Sequence, residues 1–112
     1  MKKNIYKALS KQLTQAAEDI MKKKQPEYTN KNEDVLYNFK STAQSLNLSP
    51  MEVWAVFFHK HVQAIMSHAH NPEMYEAEPI ESRYADAINY LHLGYSLMKE
   101  REIQNKYIKN KT

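Results

Sequence analysis

Apolar residues recur along this chain in four stretches, and in each the spacing is that of a helix. From residue 4 to 24, Ile5, Leu9, Leu13, Ala16, Ala17 and Ile20 follow one another mostly at intervals of three and four, the period that gathers side chains on one face of an α-helix. Pro26 removes a backbone donor and restricts Gln25, so the first helix is predicted to close there, with a loop over 25–33. Asp34 is placed to cap a second helix whose inward face carries Val35, Leu36, Phe39, Ala43 and Leu46. The sharpest boundary in the chain is Ser49-Pro50-Met51-Glu52. It combines a hydroxyl N-cap, a proline at the first helical position and an acid three residues on to complete a capping box. The third helix should run to about Ala69. Its stripe of Met51, Trp54, Ala55, Phe58, Val62, Ile65 and Met66 is the heaviest in the sequence, which predicts a central core helix. Asn71-Pro72 ends it, and an acidic loop through Glu78 leads to the fourth.

That fourth helix, 79–98, is apolar on two sides. At 100° per residue, Ile80, Tyr84, Ala87, Ile88, Leu91, Gly94, Tyr95 and Met98 share one stripe, read here as the core face. Tyr90, Leu93 and Leu97 lie opposite, on the side of Asp86. A helix apolar on both sides is buried on both, and in a short chain a second subunit is the simplest cover, so a homo-oligomer is expected. Past Glu100 the apolar residues thin to Ile103, Tyr107 and Ile108. The helix can continue there into a basic tail over 104–112 whose end frays.

The pattern therefore predicts an all-α protein, a compact bundle of four helices, or five if the tail forms its own, in one domain over 1–112 with its core over about 4–98. Composition agrees. One Gly and four Pro in 112 residues do not suit a turn-rich all-β chain. The absence of Cys excludes a disulfide framework, a thiolate metal site and a thiol nucleophile, and fits a reducing compartment. The longest apolar run, Val53 to Phe58, is too short to span a membrane or serve as a signal peptide. A cytoplasmic protein with no membrane partner is expected.

Charge changes the picture only locally. The net +3 is modest, yet lysines load both ends of the chain, while Glu73 to Asp86 carries five acids and one base. No basic cluster is interleaved with stacking aromatics, so nucleic acid is not expected as a partner. His59, His61, His68 and His70 share the third helix, but residues two apart point about 200° apart, and seven residues span roughly 10 Å. They do not form one metal site by themselves. His61, at the border of the apolar stripe beside Lys60, is the one kept as a candidate.

Chemistry concentrates at the start of the fourth helix. With a single Gly there is no glycine-rich loop to cradle phosphate, so a phosphate would have to be met by side chains. Arg83 offers a fork for phosphate oxygens and Lys60 a point charge. Asp86 and Asn89, three apart, can reach one ligand together. Asn38 adds a neutral donor and Tyr90 an aromatic wall. Glu78 and Glu81, with Asp86 two turns above Glu78, are hard oxygen ligands of the kind that hold Mg²⁺ against phosphates.

The run Lys31-Asn32-Glu33-Asp34-Val35-Leu36-Tyr37-Asn38-Phe39-Lys40, then Trp54 with Phe58 and Lys60-His61, then Glu78-Pro79-Ile80-Glu81 through Arg83, Asp86, Asn89 and Tyr90, resembles small helical proteins of phages and prophages. These are grouped with nucleotide-modification-associated domains and are loosely similar to the MazG-like all-α nucleotide pyrophosphohydrolases. Such enzymes hold Mg²⁺ through an E-x-x-E pair on one helix and an E-x-x-D pair on the next. The resemblance implies that Asp86-Ala87-Ile88-Asn89 stands for the second pair. The first is missing, because the second helix offers Asn38, Lys40 and Gln44 where acids are required. The reading that follows is a nucleotide-binding protein that holds, and sequesters, a phosphate-bearing nucleotide such as a cyclic defence signal at a subunit-interface pocket without turnover. Its ligand-binding residues would be Asn38, Lys60, His61, Arg83, Asp86, Asn89 and Tyr90, with no catalytic residue and no obligatory cofactor. The alternative is a Mg²⁺-dependent MazG-like pyrophosphohydrolase with Glu78, Glu81 and Asp86 as metal ligands.

Overall fold

The computed structural model describes residues 1–29, 33–74 and 78–111. Four helices account for nearly all of them: α1 (Lys3–Thr29), α2 (Tyr37–Leu46), α3 (Pro50–His70) and α4 (Ile80–Lys111). No strand occurs among the described residues, and none of their helices is long and apolar enough to cross a membrane. The contacts close a ring, in which α3 packs on α4, α4 on α1, α1 lightly on α2, and α2 on α3. Trp54 meets Gly94, while His61, seven residues on, meets Asp86, so α3 and α4 run antiparallel.

Several boundaries follow from local chemistry. The Ser49 hydroxyl accepts from the Glu52 N–H at 3.1 Å and the Glu52 carboxylate accepts from the Ser49 N–H at 3.0 Å, the reciprocal capping box predicted for α3. At the end of α2, Asn47 adopts a left-handed φ of 57°. The Leu48 N–H then donates to the Ala43 carbonyl at 2.9 Å and the Asn47 N–H to that of Gln44, a Schellman closure. Two expectations are corrected. Helix α1 does not stop before Pro26 but runs through it to Thr29, since a proline in the last turn forfeits only one intrahelical donor. Asp34 is not the cap of α2, which starts from Leu36 with no side-chain cap. Instead its carboxylate accepts from the Leu36 N–H at 2.9 Å and pairs with Lys40, which also reaches Glu100 on α4. The expected loop at 30–32 and the middle of the acidic loop, 75–77, lie outside the described residues.

The core is built by Leu36, Phe39 and Ala43 of α2, Val53 of α3, and Tyr90, Leu93 and Leu97 of α4. Met21, Met51, Trp54 and Phe58 pack against it, partly buried. On α2 the predicted face is too wide, because Val35 and Leu46 are exposed. The stripe assigned to α3 is also only partly covered. None of its residues is fully buried, Ala55 and Met66 are exposed, and the one buried residue of α3, Val53, lies outside the stripe. The larger correction concerns α4. Its buried face is Ala85, Asp86, Asn89, Tyr90, Leu93 and Leu97, the side taken from the sequence as secondary, together with Gly94 from the edge of the stripe read as the core face. Tyr84, Leu91, Tyr95 and Met98, read as the core face, are exposed. Residues 104–111 form no fifth helix, since α4 continues through Lys111 as one 32-residue rod, roughly 48 Å long at the helical rise.

Candidate functional site

The Asp86 carboxylate lies on the buried face of α4, 3 % exposed, and three helices bring titratable side chains to it. From α1, the Lys24 ammonium lies 3.5 Å from Oδ1. From α3, His61 Nδ1 lies 4.0 Å from Oδ2. One turn earlier on α4, Arg83 is mostly buried and turns its Nε to Glu78, 3.8 Å away. Asn89 closes the group, donating its amide N–H to the Ala17 carbonyl of α1 at 2.8 Å. The His61 ring lies against Tyr90, with centroids 4.8 Å apart.

The cluster is charged, nearly dry and incompletely satisfied. His61 Nδ1, Arg83 Nε and Asp86 Oδ1 are buried atoms that make no hydrogen bond among the described residues. Native proteins leave few such groups, and each costs on the order of 1–3 kcal/mol unless something meets it. Burial holds the His61 pKa below its ordinary value. The Asp86 carboxylate opposes this, while Arg83 and Lys24 reinforce it. At neutral pH the imidazole is therefore neutral and can present Nδ1 as donor or acceptor, according to its tautomer.

Of the residues expected at the site, His61, Arg83, Asp86, Asn89 and Tyr90 come together, and they do so within one chain. Asn89 serves as a tie between α1 and α4, and Tyr90 packs edge-on against Phe39 in the core, at 6.1 Å. Lys60 is exposed and takes no part in the cluster, because on α3 it falls 100° from His61. Asn38 lines a separate hollow of about 220 Å³ with Phe39, Thr42, Phe57 and Tyr90. The expected metal ligands do not converge. Glu81 and Asp86, five residues apart, point about 140° apart, Glu78 faces Arg83, and no three His, Asp or Glu side chains among the described residues are grouped to hold a metal ion.

Sequence reasoning missed Lys24, which sits inside the run Lys22-Lys23-Lys24 and reads there as solvated surface. A signal was present in its phase, since Lys24 follows Ala17 and Ile20 by seven and four residues and so extends the buried stripe of α1. Comparison with protein-family models, curated proteins and solved structures gives no match. What the chain binds is therefore argued from the cluster itself. A second opening, about 640 Å³ between the α2–α3 junction and the far half of α4, is less suited to a ligand, because Lys40 there is held by Asp34 and Glu100, and Ser49 and Glu52 by each other.

Proposed function

We propose that this protein binds a phosphate-bearing nucleotide at the Lys24, His61, Arg83 and Asp86 cluster and holds it without turnover, as a homo-oligomer in the cytoplasm. The observation that carries this reading is the set of three unsatisfied buried atoms. Arg83 Nε calls for an acceptor such as a phosphate oxygen, Asp86 Oδ1 for a donor such as a ribose hydroxyl or a base N–H, and His61 Nδ1 for either according to its tautomer. A nucleotide carries both within one molecule. The resemblance to phage nucleotide-associated proteins suggests the use, which is sequestration of a host signalling nucleotide.

Absence of turnover is supported by what surrounds the carboxylates. Asp86 and Glu78 face Lys24 and Arg83 at 3.5 and 3.8 Å, without a hydrogen bond at Asp86 Oδ1 or Arg83 Nε, and α2 contributes no acid to replace the missing first metal-binding pair.

The test is equilibrium dialysis of the full chain against linear and cyclic ribonucleotides, with chromatography of the recovered ligand. Binding of one class, recovered intact, is expected. Asp86→Asn and Arg83→Gln should each weaken it about ten- to a hundredfold, the worth of a charge-assisted hydrogen bond. Conversion of a triphosphate to a monophosphate in the presence of Mg²⁺ would overturn this reading in favour of the pyrophosphohydrolase, with Glu78, Glu81 and Asp86 as its metal ligands.

A further inference from the structure

The ring of helices leaves a broad apolar surface bare along α4. On α4, Tyr84, Leu91, Tyr95 and Met98 are exposed at 43, 55, 60 and 40 %, on the side opposite Asp86 and Leu93. Helix α3 meets α4 at Gly94, on the flank next to this stripe, and α1 meets it at Asn89, on the flank away from it. By helical phase Ala55, half-buried Val62 and 64 % exposed Met66 lie on the edge of α3 turned away from buried Val53, and they extend the apolar surface from that helix. No Lys, Arg, Asp or Glu is among these residues.

We propose that this face binds a second copy of the chain in a two-fold dimer, with α4 antiparallel to its counterpart and the axis crossing at Leu91. The area suits such a partner. Tyr84, Leu91, Tyr95, Met98 and Met66 together expose roughly 500 Å² per copy, against ~800 Å² per partner for a standard stable interface, so they supply over half of what is needed before the edges are counted.

Charge favours a second copy over an unrelated partner. Glu81 and Lys99 are eighteen residues apart, which is five full turns, so they share one edge of the stripe at opposite ends, about 27 Å from each other. A two-fold axis near Leu91 brings Glu81 of each copy beside Lys99 of the other. It also sets Tyr84 opposite Met98 and Leu91 opposite itself. Among the described residues of one copy Glu81 has no ion pair, and Lys99 pairs with exposed Glu102 at 3.3 Å and lies over the Tyr95 ring, 5.7 Å from its centroid. The same surface pattern is therefore both halves of the interface. The dimer face is on the opposite side of α4 from the Asp86 cluster and requires no ligand.

Analytical ultracentrifugation of the full chain without nucleotide tests this. The expected mass is twice the 13.2 kDa of one chain, falling to a single chain in Leu91→Glu with helical circular dichroism retained. Glu81→Lys should weaken association about tenfold, and adding Lys99→Glu should restore it, since the two symmetric surface pairs are worth up to ~1 kcal/mol each. The chain has no Cys, so Leu91→Cys treated with a short bis-maleimide should give a covalent dimer, and Ser96→Cys, exposed on the far side of α4, should not. A monomeric wild type, a dimer that Leu91→Cys fails to link, or a double charge reversal no tighter than Glu81→Lys alone would each overturn the proposal. None of these results depends on whether the Asp86 cluster binds a nucleotide.

Discussion

Gly94 is the only glycine in the chain, and the Trp54 ring of α3 occupies the space where its side chain would be. A Cβ there would meet the Trp54 ring at 2.4 Å. The ring cannot retreat freely, because its indole N–H donates to the Tyr90 carbonyl at 2.6 Å and its face stacks on Phe58, at 5.0 Å between centroids. Gly94→Ala should therefore destabilise the protein by about 1–3 kcal/mol, the usual cost of overpacking, measured by urea unfolding with Trp54 as the only tryptophan. Unchanged stability would mean that the ring slides aside at no cost. His61 gives a pH dependence. Its folded pKa is depressed, so the unfolded chain takes up its proton first as pH falls. The stability contributed is full above the ordinary histidine value near 6.5, and is lost as pH drops from there toward the folded pKa. Urea midpoints should thus fall more between pH 7.5 and 5.5 in the wild type than in His61→Gln. Parallel losses would show that the imidazole does not report its burial.

At the scale of elements, the chain announces its helix boundaries better than its helix faces. The start of α3 was legible because two local rules coincide at Ser49 and Glu52, and neither depends on the rest of the molecule. Ser49→Ala should cost about 1 kcal/mol, and thermal unfolding with no shift would contradict the cap seen at 3.1 Å. The face of α4 was misread for a physical reason. Asp86 and Asn89 lie on the buried side, where a carboxylate and an amide interrupt the apolar run, while the outward side of Tyr84, Leu91, Tyr95 and Met98 has no such break. Periodicity ranks faces by hydrophobicity. It does not know that Lys24 and the Ala17 carbonyl wait on the neighbouring helix to meet those polar groups. The same limit explains Pro26, whose cost depends on how much helix follows it.

For the whole molecule, the two sides of α4 divide the work. One side builds the core and, where Asp86 interrupts it, a polar cluster drawn from α1, α3 and α4; the other is an apolar surface that one chain alone leaves bare. The number of helices and His61, Arg83, Asp86, Asn89 and Tyr90 as neighbours were legible in the sequence, because they follow from spacing along two helices. Lys24 was not, and Lys60 and Asn38 were misplaced, since membership of a site made by three helices depends on how those helices are rotated against each other. The central claim is that the unsatisfied atoms of this cluster are met by a nucleotide that leaves unchanged. Native mass spectrometry of the full chain, purified from cells and then incubated with a panel of nucleotides and Mg²⁺, tests it most directly. The predicted result is an intact nucleotide at one per chain, released unaltered on denaturation and absent from Asp86→Asn; an empty protein after the full panel, or a hydrolysed product in the released fraction, would contradict the account.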